Sequence, residues 1–263
     1  MIIEYDGTQY HGWQQQPSGV ATVQAELQKA LSKVANEPIT LVCAGRTDAG
    51  VHGTYQVIHF DTTAQRKPRQ WLLGVSCSLP RNIGVRWAGE VNPQFHARFS
   101  AGARTYRYII CNEQARPGLF GSHLTWEGKP LDVDLMQQGG DFLVGEHDFS
   151  SFRASGCQAH SPVRTVSYLK LWRQNNLVVM EIKANAFLHH MVRNIIGVLL
   201  EVGKGDQPPG WVKEVLEYRN RELGGVTAKP HGLYLVKVDY PDGFGIPELL
   251  SGPAFIERPL HTP

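Results

Sequence analysis

Four residues, "RQNN", separate a strand-like run ending at Trp172 from the alternating run "LVVMEIKA" that begins at Leu177. A link that short joins antiparallel neighbours, because a parallel crossover needs about a dozen residues or more. Strand patterns also read in the opening "MIIEY", at 39–44, 55–61, 83–91 and 104–111, and in the late "GLYLVKVDY". Between 22 and 35 the period changes. Val23, Leu27, Ala30, Leu31 and Val34 fall on one helical face, with Glu26, Lys29 and Lys33 on the other. Thr22 is placed to cap this helix, and Pro38 lies beyond its end. Further helices are expected at 69–77 and at 134–143, where Gly139 and Gly140 lower the propensity. Another is expected at 187–202 with Gly203 as its C-cap, and a last one opening at Asp206, Pro208 and Pro209 and running to about Tyr218. Strands with helices packed on them in each half predict an α+β protein with mainly antiparallel sheets. We expect domains at 1–103 and 104–245, followed by a Pro-rich extended tail over 246–263.

Composition narrows the function classes. A net charge of +2 argues against an extended basic arm, although 26 Lys and Arg residues still allow a local basic groove. The four cysteines, Cys43, Cys77, Cys111 and Cys157, form no C-x-x-C pair, so a zinc ribbon is not expected. No apolar run reaches the roughly 18 residues that a membrane span needs, and no signal peptide opens the chain. These features predict a reduced, cytoplasmic protein without a membrane anchor.

Several cofactor and catalytic patterns fail. "GVLLEVGKG" has five residues between its glycines, and glycine follows the lysine, so it is no phosphate-binding P-loop. There is no G-x-G-x-x-G after a strand and no G-x-S-x-G. A nucleotide cofactor is therefore not expected. His189 and His190 adjoin on the expected 187–202 helix and cannot share one face, so a metal there would need ligands from elsewhere. Asp48, His52 and His59 match no metal-ligand spacing, and no metal is expected.

What remains is the loop "AGRTDAGVH", residues 44–52, which follows the apolar run "ITLVCA". Gly45 and Gly50 mark it as a turn. Asp48 between them is either a turn former or a reactive group held out on a rigid support. On the expected 187–202 helix, His189, Arg193, Gly197 and Glu201 recur at intervals of four. Arg193 is there either a surface residue paired with Glu201 or water, or a cation carried on a rigid element beside a glycine that permits close approach. In "RTYRYIIC", Arg104, Tyr106 and Tyr108 share one strand face, a pattern that suits either sheet packing or stacking on a nucleic-acid base.

"AGRTDAGVH", with "FHARFSAGARTYRYII", "DFSSFR", "NAFLHHMVRNIIG" and "GLYLVKVDYP", resembles the tRNA pseudouridine synthase A family from about Glu4 to Pro241, in order. Family members usually carry several residues before the first strand, whereas this sequence opens inside it. The resemblance implies two α+β domains around a catalytic cleft, a homodimer, and tRNA laid across both subunits. It implies conversion of uridine to pseudouridine at positions 38, 39 and 40 of the anticodon stem-loop, without a cofactor. It casts Asp48 as the catalytic aspartate and Arg46 as the loop arginine that helps displace the target base. Tyr106 becomes the tyrosine that stacks on the base and moves its proton, Arg193 the basic partner of the aspartate, and Leu233 an apolar residue lining the pocket. We add Arg66, Lys67, Arg69, Arg98 and Arg104 as expected contacts to the tRNA backbone.

Two other classes compete. A non-catalytic RNA-binding module would use Tyr106 and the basic residues, but a carboxylate at the centre of the loop repels phosphates. A nucleoside hydrolase or lyase acting through Asp48 would release free uracil.

Overall fold

The computed structural model describes residues 1–250 and 252–257. In chain order the elements are β1 (Ile2–Tyr5), α1 (Val23–Ala35), β2 (Val42–Cys43), β3 (His52–His59), α2 (Pro68–Ser78), β4 (Ile83–Trp87), β5 (Ala103–Asn112), β6 (Thr125–Glu127), α3 (Val133–Asp141), β7 (Gly145–Asp148), β8 (Val163–Gln174), β9 (Leu177–Ala184), α4 (Met191–Gly203), α5 (Trp211–Tyr218) and β10 (Leu233–Asp239). They divide into two compact units. The first is Met1–Ala103 with Tyr234–Gly252, and the second is Arg104–Leu233 with the segment from Pro253. The sequence division gave the late strand to the second half, but β10 lies almost wholly in the first unit.

In the first unit β1 runs antiparallel to both β3 and β4, and β10 pairs in parallel with β3, Tyr234 opposite His52. The pairing is mainly antiparallel, as expected; the parallel β10–β3 pair joins segments too far apart in the chain for any local pattern to announce. Strand β2 is shorter than the expected 39–44, because the Ile39 amide donates to Ser32 Oγ (2.9 Å) rather than to a strand. Strand β4 ends at Trp87 rather than 91; the chain then turns back over the indole, where a Cβ on Gly89 would stand 2.3 Å from Trp87. Helix α1 follows its pattern. Thr22 accepts a hydrogen bond from the Ala25 amide, and Val23, Leu27, Ala30 and Leu31 are buried. Val34 is only partly buried, packing on Gly74 of α2. Fully burying side chains such as Leu27 and Leu31 contributes about 2–3 kcal/mol each.

In the second unit β9 lies between β5 and β8, antiparallel to both, with β7 antiparallel to β8 and β6 parallel to β5. The short link resolves into a two-residue hairpin turn, Gln174 pairing with Leu177. Asn175 takes the left-handed backbone (φ 54°) that such turns need and that asparagine tolerates. Gly139 and Gly140 stay inside α3, where added methyl groups would meet Val212 at 2.8 Å and Leu169 at 2.6 Å. The glycines cost helix propensity but let α3 approach α5 and β8 closely. Arg107 and Glu181 form a buried ion pair (2.6 Å), and Tyr168 donates to the same carboxylate. A buried pair held this way is completed by hydrogen bonds rather than by charge alone.

Two expectations about α4 are corrected. The helix begins at Met191, not at 187, because His190 adopts the left-handed conformation (φ 60°) that an α-helix excludes. His189 is therefore off the helix, and the two histidines lie in the preceding turn with ring centroids 4.0 Å apart. At the other end Gly203 is the last helical residue, and Gly205 takes the left-handed position (φ 75°). Gly203 serves packing instead, since a Cβ there would meet Met136 at 2.6 Å.

The described part of the expected tail is tied down rather than free. The Pro247 carbonyl accepts from Tyr55, Glu248 pairs with Lys237 at 2.8 Å, and the Gly252 amide donates to Thr54. Residues 251 and 258–263 of that tail lie outside the described residues. Among the described residues no helix is long and apolar enough to cross a membrane.

Candidate active site

The Asp48 loop runs from the end of β2 to the start of β3, and side chains and backbone of the same unit hold it in place. The fully buried Gln56 grips Gly45 through both backbone groups, its Nε2 donating to the Gly45 carbonyl (2.6 Å) and its Oε1 accepting from the amide (3.4 Å). Tyr5 and Thr47 share a buried hydroxyl hydrogen bond of 2.8 Å, and the Trp13 amide donates to the Thr47 carbonyl. The Val51 amide donates to the Asp48 carbonyl (3.1 Å), closing a turn in which Gly50 has φ 75°. None of these bonds uses the Asp48 side chain, which is half-buried, while Arg46 is exposed.

The tightest support comes from two glycines in the stretch "DGTQYHGW". A Cβ on Gly7 would stand 2.0 Å from the Val51 carbonyl oxygen, and one on Gly12 would stand 2.9 Å from that of Thr47. Gly12 also has φ 89°, which side-chain-bearing residues rarely adopt. In the sequence the paired glycines of this stretch are the available signal that another backbone lies against it. The Gly7 amide donates to Nδ1 of the buried His52, whose ring stacks on Tyr234 at 4.7 Å. His59 likewise accepts from the Ala97 amide (3.1 Å). Each histidine of the Asp48, His52 and His59 trio thus meets a backbone amide at Nδ1, and Nδ1 of His52 also lies 3.1 Å from an Asp6 carboxylate oxygen.

Four predicted residues lie in the second unit. Tyr106, on β5, is buried and meets Phe187 edge to face, ring centroids 5.1 Å apart. Tyr108 on the same strand face is wholly buried, its hydroxyl donating to the Lys229 carbonyl (2.7 Å) and lying 2.7 Å from Thr125 Oγ1. Burial pushes its phenol pKa up, partly opposed by Thr125 and by the Arg193 guanidinium. Tyr108 is thus core, so of the two alternatives left open for this strand face it takes sheet packing. Arg104 donates to the Asn185 carbonyl at 3.0 Å. Leu233 is buried at the start of β10.

Arg193 stands in the first turn of α4. Its Nε donates to the Ala228 carbonyl (2.8 Å), and the Ala228 amide donates back to the Arg193 carbonyl (3.1 Å). Glu201, the partner weighed from sequence, pairs with Lys204 at 2.6 Å. The close approach expected at Gly197 is real and is made by the protein's own chain, since a Cβ there would collide with the Val226 carbonyl oxygen at 1.8 Å. Ala228 is a positioning partner with no signal in the sequence, because only its backbone is used.

The sequence match, rather than the fold, sets the class: the chain falls among the pseudouridine synthases, which are isomerases. The model of the tRNA pseudouridine synthase family matches residues 1–100 and 142–241, and the chain belongs to that family. It is 59% identical to a tRNA pseudouridine synthase A of Nitrosococcus oceani over 94% of this chain and 95% of that protein. Proteins of the same name from Aliivibrio fischeri and Vibrio cholerae are each 56% identical, both over 98% of this chain and 98% of their own length.

Proposed function

We propose that this enzyme converts uridine to pseudouridine at positions 38, 39 and 40 of the tRNA anticodon stem-loop, with Asp48 acting on the extruded nucleotide. The observation that carries the reading is the family match, over a chain whose Gly45–Gly50 loop is held in place by Gln56, Tyr5 and Trp13 and carries a half-buried Asp48. The reaction breaks N1–C1′, turns the uracil and forms C5–C1′; a proton leaves C5 and N1 regains one. Nothing is oxidised and no group is imported, so side chains suffice.

Asp48 supplies the carboxylate, either by adding to the sugar or by removing a sugar proton. Arg193 pairs with it, favouring the ionised form and fixing its direction. Tyr106 stacks on the loose uracil and accepts the C5 proton, directly or through water. Retaining the uracil makes the second bond formation unimolecular. Extruding the nucleotide costs a few kcal/mol. Arg46 enters the vacated place and offsets part of that cost, and Leu233 lines the pocket. Arg104 and the exposed Arg66, Lys67, Arg69 and Arg98 contact phosphates. In this reading the partners are tRNA and a second copy of the chain, and the compartment is the cytoplasm.

The test is to map pseudouridine in unmodified total tRNA after incubation with the protein. Product confined to positions 38–40 is expected. Binding without product would leave an RNA-binding module, and release of free uracil would indicate a lyase or hydrolase.

Two substitutions probe the assigned roles. Arg193→Ala should slow single-turnover conversion by about fiftyfold, roughly 2.3 kcal/mol, with a smaller effect on tRNA affinity. An unchanged single-turnover rate would remove the pairing with Asp48. Tyr106→Phe keeps the ring and loses the hydroxyl, so the proton step should slow by about tenfold while affinity holds. Equal losses in binding and chemistry would make Tyr106 a folding residue.

A further inference from the structure

Phe99 is a large apolar side chain of the first unit left 77% exposed, yet it is not loose. Its ring stacks on His96 at 4.3 Å with an interplanar angle of 22°. His96 is itself locked, since its Nδ1 accepts from the amides of Arg98 (3.2 Å) and Phe99 (3.1 Å). The His96 amide in turn donates to Ser100 Oγ at 3.0 Å. The Arg98 guanidinium carbon lies over the Phe99 ring, 5.6 Å from its centroid and within cation–π range, so a positive charge borders the exposed aromatic ring. His96 also packs on His59, ring centroids 4.7 Å apart, and His59 pairs with Val42 of β2, so this cluster lies beside the strand that leads into the Asp48 loop.

We propose that Phe99, held by His96 and flanked by Arg98, is a stacking ledge for an unpaired base of the RNA substrate, beside the reaction loop. The inference rests on the reading of the chain as a tRNA-modifying enzyme. A flat apolar face offers every base the same surface, and stacking of this kind tolerates any sequence. A ring fixed before binding loses little freedom when the base arrives. Arg98 neutralises the phosphate that accompanies the base and adds a salt-dependent share of the affinity.

The experiment measures equilibrium binding of an unmodified anticodon stem-loop to the full chain and to Phe99→Ala, Phe99→Leu and Phe99→Trp. Alanine and leucine should each weaken binding by about tenfold, and tryptophan should stay within about twofold of the parent. Stem-loops with one unpaired base deleted at a time then locate the contact. At one position the deletion should weaken binding to the parent protein and leave Phe99→Ala unchanged. Leucine binding as well as phenylalanine would replace stacking with apolar contact and overturn the ledge. So would equal affinities for all variants, or a Phe99→Ala protein that sediments as a smaller species, which would assign the ring to a contact between proteins. Failure of the parent protein to form pseudouridine would instead overturn the underlying reading, and that is scored separately on the same stem-loop.

Discussion

Asp48→Asn is expected to abolish pseudouridine formation while tRNA binding is no weaker than in the parent. The substitution keeps the size and shape of the side chain and removes its charge and basicity. Loop geometry should persist, because the bonds that hold it come from Gln56, Tyr5, Trp13 and Val51 to backbone groups or to Thr47. Binding should persist because a neutral amide repels phosphate less than a carboxylate does. An amide neither adds to the sugar nor removes its proton at a useful rate. The loss should exceed about a thousandfold, roughly 4 kcal/mol of barrier. The readout is tritium released from tRNA carrying labelled C5–H uridine under single-turnover conditions, with thermal unfolding as a check on the fold. Conversion within tenfold of the parent would remove Asp48 from the chemistry, whichever of the two routes it takes.

Gly7→Ala should cost roughly a hundredfold in rate, although residue 7 touches no substrate in this reading. An added methyl would lie 2.0 Å from the Val51 carbonyl oxygen, whereas real contacts of this kind stay beyond 3.0 Å. The obstacle is backbone, so no side chain can swing aside. The turn around Gly7 and the loop carrying Asp48 must separate by about 1 Å, and a misplacement of that size is enough to cost roughly a hundredfold in rate. The same movement stretches the bond from the Gly7 amide to the buried His52. We expect at least about 2 kcal/mol of lost stability by denaturant unfolding, and a loss of single-turnover rate at saturating tRNA. Gly118→Ala is the control, since a methyl there meets nothing within 4 Å. A Gly7→Ala protein with parental rate and stability would show that the loop does not depend on this contact.

Helix α1 was legible from the sequence to within a residue because its signals are local: a cap at Thr22 and an apolar face repeating every turn. The β8–β9 hairpin was legible because a short link leaves one geometry open. The start of α4 was misread because an apolar period extends through 187–190, while the left-handed backbone of His190 is set by the turn that precedes it. Gly203 and Gly205 exchanged roles for a similar reason. Either glycine suits a helix end, and the choice fell to Met136, which leaves room for no side chain at 203. The loop carrying Asp48 and the motifs around it stood out in the sequence. The contacts that hold the loop did not.

Alternation, helical period, caps and turn residues act over a few positions, and through them the chain alone declared its fold class and most of its elements, while its motifs, by their resemblance to a family, pointed to the residues worth testing. Folding in three dimensions settled what no short window contains. It placed β10 in parallel beside β3, turned Tyr108 into core, and tied Arg193 to the backbone of Ala228. It also set Gly7 and Gly12 against the Asp48 loop, more than thirty positions along the chain. Such contacts are made by peptide groups, which every residue carries alike, so their partners become known only when distant segments meet.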